Sequence, residues 1–195
     1  MRRIFAVLPA VALATALLAQ APPSAKTATP RPAGEFVIHM PDGTQKLLSS
    51  YKGKIVVIAF MYTTCPHCQH AAGILSKIQT DYAAKGAQVL GVVFDQSAQR
   101  DVGTFDKLYA TTFPCGYSTP DQVVKFMHAD GDYYVPMMAF IDKTGTLRTQ
   151  VVSYGEPNGE ADKFLGDQED ANIRKEIDKL LKPAVAAAPK QAPKP

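Results

Sequence analysis

The sequence predicts a three-layer α/β domain over residues 34–182. Three observations predict it. The runs Ile55–Met61 and Val89–Phe94 are apolar throughout and bounded by polar residues, as central strands covered on both faces should be. Segments with apolar residues at helical spacing follow each of them, so strands and helices alternate. Two more strand-like runs, joined by a turn, then precede a last helix.

Taken in order, Phe36-Val37-Ile38 and Gln45-Lys46-Leu47 flank Pro41-Asp42-Gly43, which predicts a short hairpin turning at the Asp-Gly. After the first central strand a helix runs from about Pro66 to Lys85, with Ile74, Leu75, Ile78 and Tyr82 on one stripe and Gly86 ending it. Beyond the second central strand, Ser97 is placed to cap a helix carrying Val102, Phe105, Leu108 and Tyr109. Phe113 to Tyr117 reads as a short strand, and Thr119-Pro120 opens a helix with proline at its first position. Met137 to Ile141 and Leu147 to Val152 are strands joined by Asp142-Lys143-Thr144-Gly145. The last helix spaces Ile173, Ile177, Leu180 and Leu181 helically, and Pro183 closes it. No internal repeat is present.

The ends read differently. Arg2 and Arg3, an apolar run from Ile4 to Ala19 and small residues after it have the pattern of a secretory signal over 1–25. Ala19-Gln20-Ala21 and Ala25 both offer cleavage points, and an uncleaved anchor is the alternative. Residues 26–33 read as a Pro/Ala-rich linker and 183–195 as a disordered Ala/Pro/Lys tail. Export to an oxidising compartment, the periplasm, would permit disulfide chemistry. Of 195 residues, 46% are hydrophobic and 20% charged, which fits one globular domain. The formal charge of +3 is carried by the ends: residues 34–182 hold 15 basic and 18 acidic residues. A nucleic-acid binder needs a basic face on its folded part; none is expected here.

One motif carries chemistry. Cys65-Pro66-His67-Cys68 sits where the first central strand turns into the first long helix. A cysteine at a helix N-terminus meets unpaired amide hydrogens and the positive end of the macrodipole. Both favour thiolate, the attacking species. Pro66 fits the first turn, and a charged His67 would add to the effect. The spacing brings Cys68 onto the same face, within reach of a mixed disulfide at Cys65. Half of a zinc site and an inert structural disulfide are the alternatives. No second CxxC exists, and neither alternative accounts for the placement.

With these residues in view, the chain resembles exported thioredoxin-fold thiol–disulfide oxidoreductases of the TlpA/ResA-like branch, related to the alkyl hydroperoxide reductase/thiol-specific antioxidant (AhpC/TSA) superfamily. The matching blocks are FVIHMPDGTQKLLSSYKGKIVVIAFMYTTCPHC, QVLGVVFD and VPMMAFIDKTGTLR, in that order. The resemblance implies a thioredoxin-like three-layer α/β/α sandwich with an N-terminal β-hairpin and an inserted strand–helix element. It also implies a cis proline at Pro136, preceded by Val135, facing the cysteines and offering backbone against which a substrate strand docks.

Two departures from that pattern stand out. Many relatives carry a buried acid six residues before the first cysteine, which assists proton transfer at the second; here that residue is Ala59, so Cys68 needs another proton route. Pro66-His67 together with Val135 is the combination of the oxidase DsbA, whose potential lies ~150 mV above that of thioredoxin, or about 7 kcal/mol for two electrons. The scaffold implies a reductant and the active-site residues an oxidant. Peroxide reduction of the peroxiredoxin kind is not expected, because Tyr62 and Ile58 occupy the positions of its threonine and proline.

The alternative function is copper handling. FMYTTCPHCQH resembles the Sco chaperones, and Cys65, Cys68 and His128 would be the ligands, with His67, His70, Met137 and Met138 as further soft or borderline donors. Sco proteins, however, place three residues between their cysteines where this chain has two. Cys115, on a short apolar strand, reads as a buried small hydrophobe. The expectation is therefore an exported enzyme exchanging disulfides with cysteines of other extracytoplasmic proteins. Cys65 is the nucleophile, Cys68 resolves, His67 tunes, and Val135 and Pro136 seat the substrate. No cofactor is needed beyond the Cys65–Cys68 couple. The chain is expected to be a monomer served by a separate redox partner, a membrane protein being one candidate.

Overall fold

The computed structural model describes residues 30–155 and 159–182. The signal, residues 26–29 of the linker and the tail lie outside that range. In chain order the elements are β1 (Arg31–Pro32), β2 (Val37–His39), β3 (Gln45–Leu47), β4 (Ile55–Met61), α1 (Pro66–Tyr82), β5 (Ala87–Val93), α2 (Ala98–Leu108), β6 (Cys115–Tyr117), α3 (Pro120–Met127), β7 (Tyr134–Ile141), β8 (Thr146–Ser153), α4 (Glu160–Leu165) and α5 (Glu169–Leu181). Short 3-10 turns add Leu48–Tyr51 and Ala83–Lys85.

The strands form one mixed sheet in the order β1-β8-β7-β4-β5-β6-β2-β3. β4 lies at its middle, parallel to β5 and antiparallel to β7, and all seven of its residues are buried. Alternation along β4 divides the core. Val57, Ala59 and Met61 face a layer built with α1, α2, α4 and α5, through residues such as Leu75, Phe105, Ala161 and Ile173. Val56, Ile58 and Phe60 face the other layer, where α3 contributes Val123, Phe126 and Met127. A strand buried on both faces has no polar side to show, which is why its sequence is an unbroken apolar run.

The local signals act as their chemistry requires. Gly43 sits at φ +83° in the hairpin turn, where Met40 N–H donates to the Thr44 carbonyl at 2.8 Å. Gly86 ends the α1 region at φ +88°, a conformation that costs glycine nothing. Gly116 has a different reason for being glycine: a Cβ there would stand 2.4 Å from the His39 carbonyl oxygen, where β2 joins β6.

Several features depart from the sequence reading. Residues 31–33 belong to the fold rather than to a linker. β1 pairs with the edge of β8, Ala33 N–H donates to Gly145 O at 3.0 Å, and Arg31 donates to the Phe126 carbonyl with its guanidinium over the Phe126 ring. An edge strand offers unpaired backbone groups to any neighbouring chain, whatever that chain's hydrophobicity. Ser97 stands at the start of α2 without capping it, because its hydroxyl donates to Asp95 at 3.0 Å. β7 begins at Tyr134 and so includes Val135 and Pro136. α4 and the first turn of α5 were not foreseen.

Candidate active site

Cys65 is the N-cap residue of α1, with extended backbone (φ −81°, ψ 118°) and Pro66 next to it in the first turn. The Cys68 amide donates to the Cys65 sulfur at 3.4 Å, so an orphan donor of the helix N-terminus ends on sulfur. On the opposite side the Cys65 thiol donates to the Val135 carbonyl at 3.6 Å. The Val135–Pro136 peptide is cis. Cys65 is partly exposed, whereas Cys68 is fully buried. The Tyr62 amide donates to the Cys68 sulfur at 3.5 Å. Burial pushes the Cys68 thiol far above its ordinary range, outweighing that hydrogen bond. All three cysteines are free thiols here.

The turn between β4 and α1 is pinned by a residue that the sequence reading passed over. Asp95, just after β5, accepts from Thr63 N–H at 2.6 Å and Thr63 Oγ1 at 2.8 Å. Gln69 Nε2 closes the turn on Thr63 O at 3.0 Å. Parallel pairing of β4 and β5 brings Asp95 there. Its signal was the acid ending QVLGVVFD, but only the strand pairing reveals its partner.

His67 is exposed and forms part of a cleft of about 510 Å³ beside the cysteines. Tyr134, Val135 and Pro136 form one wall, and Leu165 and Glu169 another. Glu169 is a second unforeseen residue: it is only 2% exposed, its Oε1 has no hydrogen-bond partner, and burial, with Asp170 adding, raises its pKa to about 7. A carboxylate at the start of a helix enjoys the dipole, but here desolvation wins. Nothing in the acidic string Asp167-Gln168-Glu169-Asp170 distinguishes the residue that turns inward.

The copper set is not assembled. Among the described residues no group of three His, Cys, Asp or Glu side chains is placed to hold a metal ion. His128 is exposed and caps α3 in the left-handed region; its chain neighbours Met127 and Ala129 belong to one layer, whereas Cys68 belongs to the opposite layer. Met137 and Met138 alternate on β7, so they face opposite layers, and both are fully buried. Cys115 is buried on β6, and burial lifts its thiol to about 12.

Residues 30–150 match the family model described as AhpC/TSA family. The chain belongs to the AhpC/TSA family. Relatives of this AhpC/TSA chain include the thiol-disulfide oxidoreductase ResA of Geobacillus thermodenitrificans, 28% identical over 116 residues, covering 60% of this chain and 64% of the relative. Another is ResA of Bacillus thuringiensis subsp. konkukian, 25% identical over 119 residues, covering 61% and 66%. The chain thus spans somewhat under two thirds of these relatives' length. Among solved structures it is similar to a proposed thiol:disulfide interchange protein DsbE from Chlorobium tepidum, at a TM-score of 0.65 with 20% identity over 80% of this chain and 99% of that one. It is likewise similar to MTB dsbF, at a TM-score of 0.57 with 19% identity over 77% and 98%. These likenesses establish the thioredoxin-like fold.

Proposed function

We propose that the protein is an exported thiol–disulfide oxidoreductase that exchanges its Cys65–Cys68 couple with cysteines of other extracytoplasmic proteins. The observation carrying this reading is the pairing of an accessible sulfur with a buried one at a helix N-terminus, 3.6 Å from the Val135 carbonyl. An exposed nucleophile needs a sheltered partner that can attack it from behind, and α1 supplies that order. The relatives named thiol-disulfide oxidoreductase support the same activity.

In the reductive direction, the Cys65 thiolate attacks a substrate disulfide and one substrate thiolate leaves. Cys68 then attacks Cys65, releasing the second substrate thiolate and closing the Cys65–Cys68 disulfide. Val135 and Pro136 form the wall along which the substrate backbone lies, and His67 borders it. Export rests on the signal pattern of residues 1–25; among the described residues no helix is long and apolar enough to cross a membrane. The test is insulin reduction with dithiothreitol as electron source. Cys65→Ser should abolish catalysis, and retained activity would overturn the reading.

A further inference from the structure

We propose that Glu169 is the group that takes up and returns the proton of Cys68, entering the site from α5 in place of the acid that β4 lacks at Ala59. This rests on the exchange reading above. Cys68 is fully buried, and no ionisable side chain of β4 lies beneath it: the strand contributes Val57, Ala59 and Met61 to that layer. A buried thiol must nevertheless shed a proton before it attacks, since only thiolate is nucleophilic. Glu169 is 2% exposed and has an unpartnered oxygen. Its charge opposes the Cys68 thiolate across the gap between α1 and α5, two helices packed on one another. A purely structural buried acid would be expected to have its oxygens satisfied.

The groups around it leave this role to Glu169. On α5, Asp170 also has an unpartnered oxygen, Oδ1, but its other oxygen is held by Arg174, which also binds Asp81 of α1. α1 otherwise brings Cys65, Cys68 and His67. α4 carries Asp162, which accepts from Ser153 at 3.3 Å, and Lys163. β7 brings Tyr134 at the rim, 60% exposed. Among these carboxylates Glu169 alone is both buried and raised to about 7, where its acid and base forms interchange at working pH.

The step balances. With substrate joined to Cys65 as a mixed disulfide, the Cys68 thiol yields its proton to the Glu169 carboxylate. The Cys68 thiolate then attacks the Cys65 sulfur, the Cys65–Cys68 bond forms, and the bond to substrate breaks. Substrate leaves as a thiolate and is protonated by solvent, having received two electrons in all from the protein. Run in reverse, Glu169 returns the proton to Cys68.

The experiment follows the reduced full chain reacting with the aromatic disulfide DTNB by stopped flow. The first release of thionitrobenzoate reports attack by Cys65, and the second reports attack by Cys68. In the unmodified chain the second phase should bend near pH 7; a featureless rise with pH would overturn the proposal. In Glu169→Gln the second phase should slow at least about 100-fold, the lower end of what a general base supplies, and lose the bend. An unchanged second phase would overturn the assignment even if stability changed. The unmodified chain's insulin reduction is measured alongside. If it is absent, the exchange reading fails; if it is present and Glu169→Gln is unaffected, the Glu169 assignment fails by itself.

Discussion

The thiol of Cys65 donates to the main-chain carbonyl of Val135 at 3.6 Å, joining two residues 70 apart in sequence. This contact ties the start of α1 to the start of β7, and it places the partly exposed sulfur beside the half-buried Val135. A substrate strand lying along Val135 would present its own cysteine to Cys65. Removing the resolving thiol should therefore trap the complex. Cys68→Ser is expected to accumulate mixed disulfides with substrate proteins, visible on non-reducing gels and lost on adding dithiothreitol; Cys65→Ser should accumulate none.

The reduction potential should lie above the ~−270 mV of thioredoxin. The Cys68 amide points at the Cys65 sulfur and stabilises its anion, which favours the dithiol form and makes the disulfide oxidising. Equilibration with glutathione buffers checks the value, and a result at or below the thioredoxin figure would restore the reductase reading. His67→Ala should lower the potential by on the order of 30 mV, equivalent to about 1.4 kcal/mol.

Stability should fall as pH rises through neutrality. The Glu169 carboxyl has an ordinary value of 4.5 and is raised to about 7 in the fold, so folding favours the protonated acid. Its contribution is complete below pH 4.5 and is lost as pH climbs through about 7, amounting to on the order of 3 kcal/mol. Urea unfolding of Glu169→Gln should accordingly show no such loss, with a gain over the unmodified chain at pH 8 and little difference at pH 4. Equal pH slopes for the two proteins would contradict this.

Only one thiol should react in the native reduced protein. Cys68 and Cys115 are buried with raised pKa values, whereas Cys65 is partly exposed. Brief alkylation with iodoacetamide, read by peptide mass spectrometry, should label Cys65 and spare the other two. Cys115→Ala should leave disulfide exchange intact and cost about 1 kcal/mol through lost packing near Gly91 and Phe113.

Much of the molecule was legible in its sequence, because local chemistry dictates those parts. An apolar run such as Ile55–Met61 has nowhere to go but a sheet interior. Asp42-Gly43 makes a turn by backbone conformation alone, and Cys65-Pro66 marks a helix start whatever surrounds it. The placement of Cys65 and Cys68 at the start of α1 and the order of strands and helices follow from such signals. Tertiary structure decided which residues meet. Asp95 reaches Thr63 only because β5 pairs with β4, and β1 exists only because β8 has a free edge. Glu169 turns inward while Asp170 turns to Arg174, two adjacent acids with opposite environments. Met137 and Met138 fall on opposite layers because strand geometry, rather than composition, sets the face each side chain occupies. Spacing along the chain records local geometry; distances across it, and the desolvation they bring, are set only when the layers close on one another.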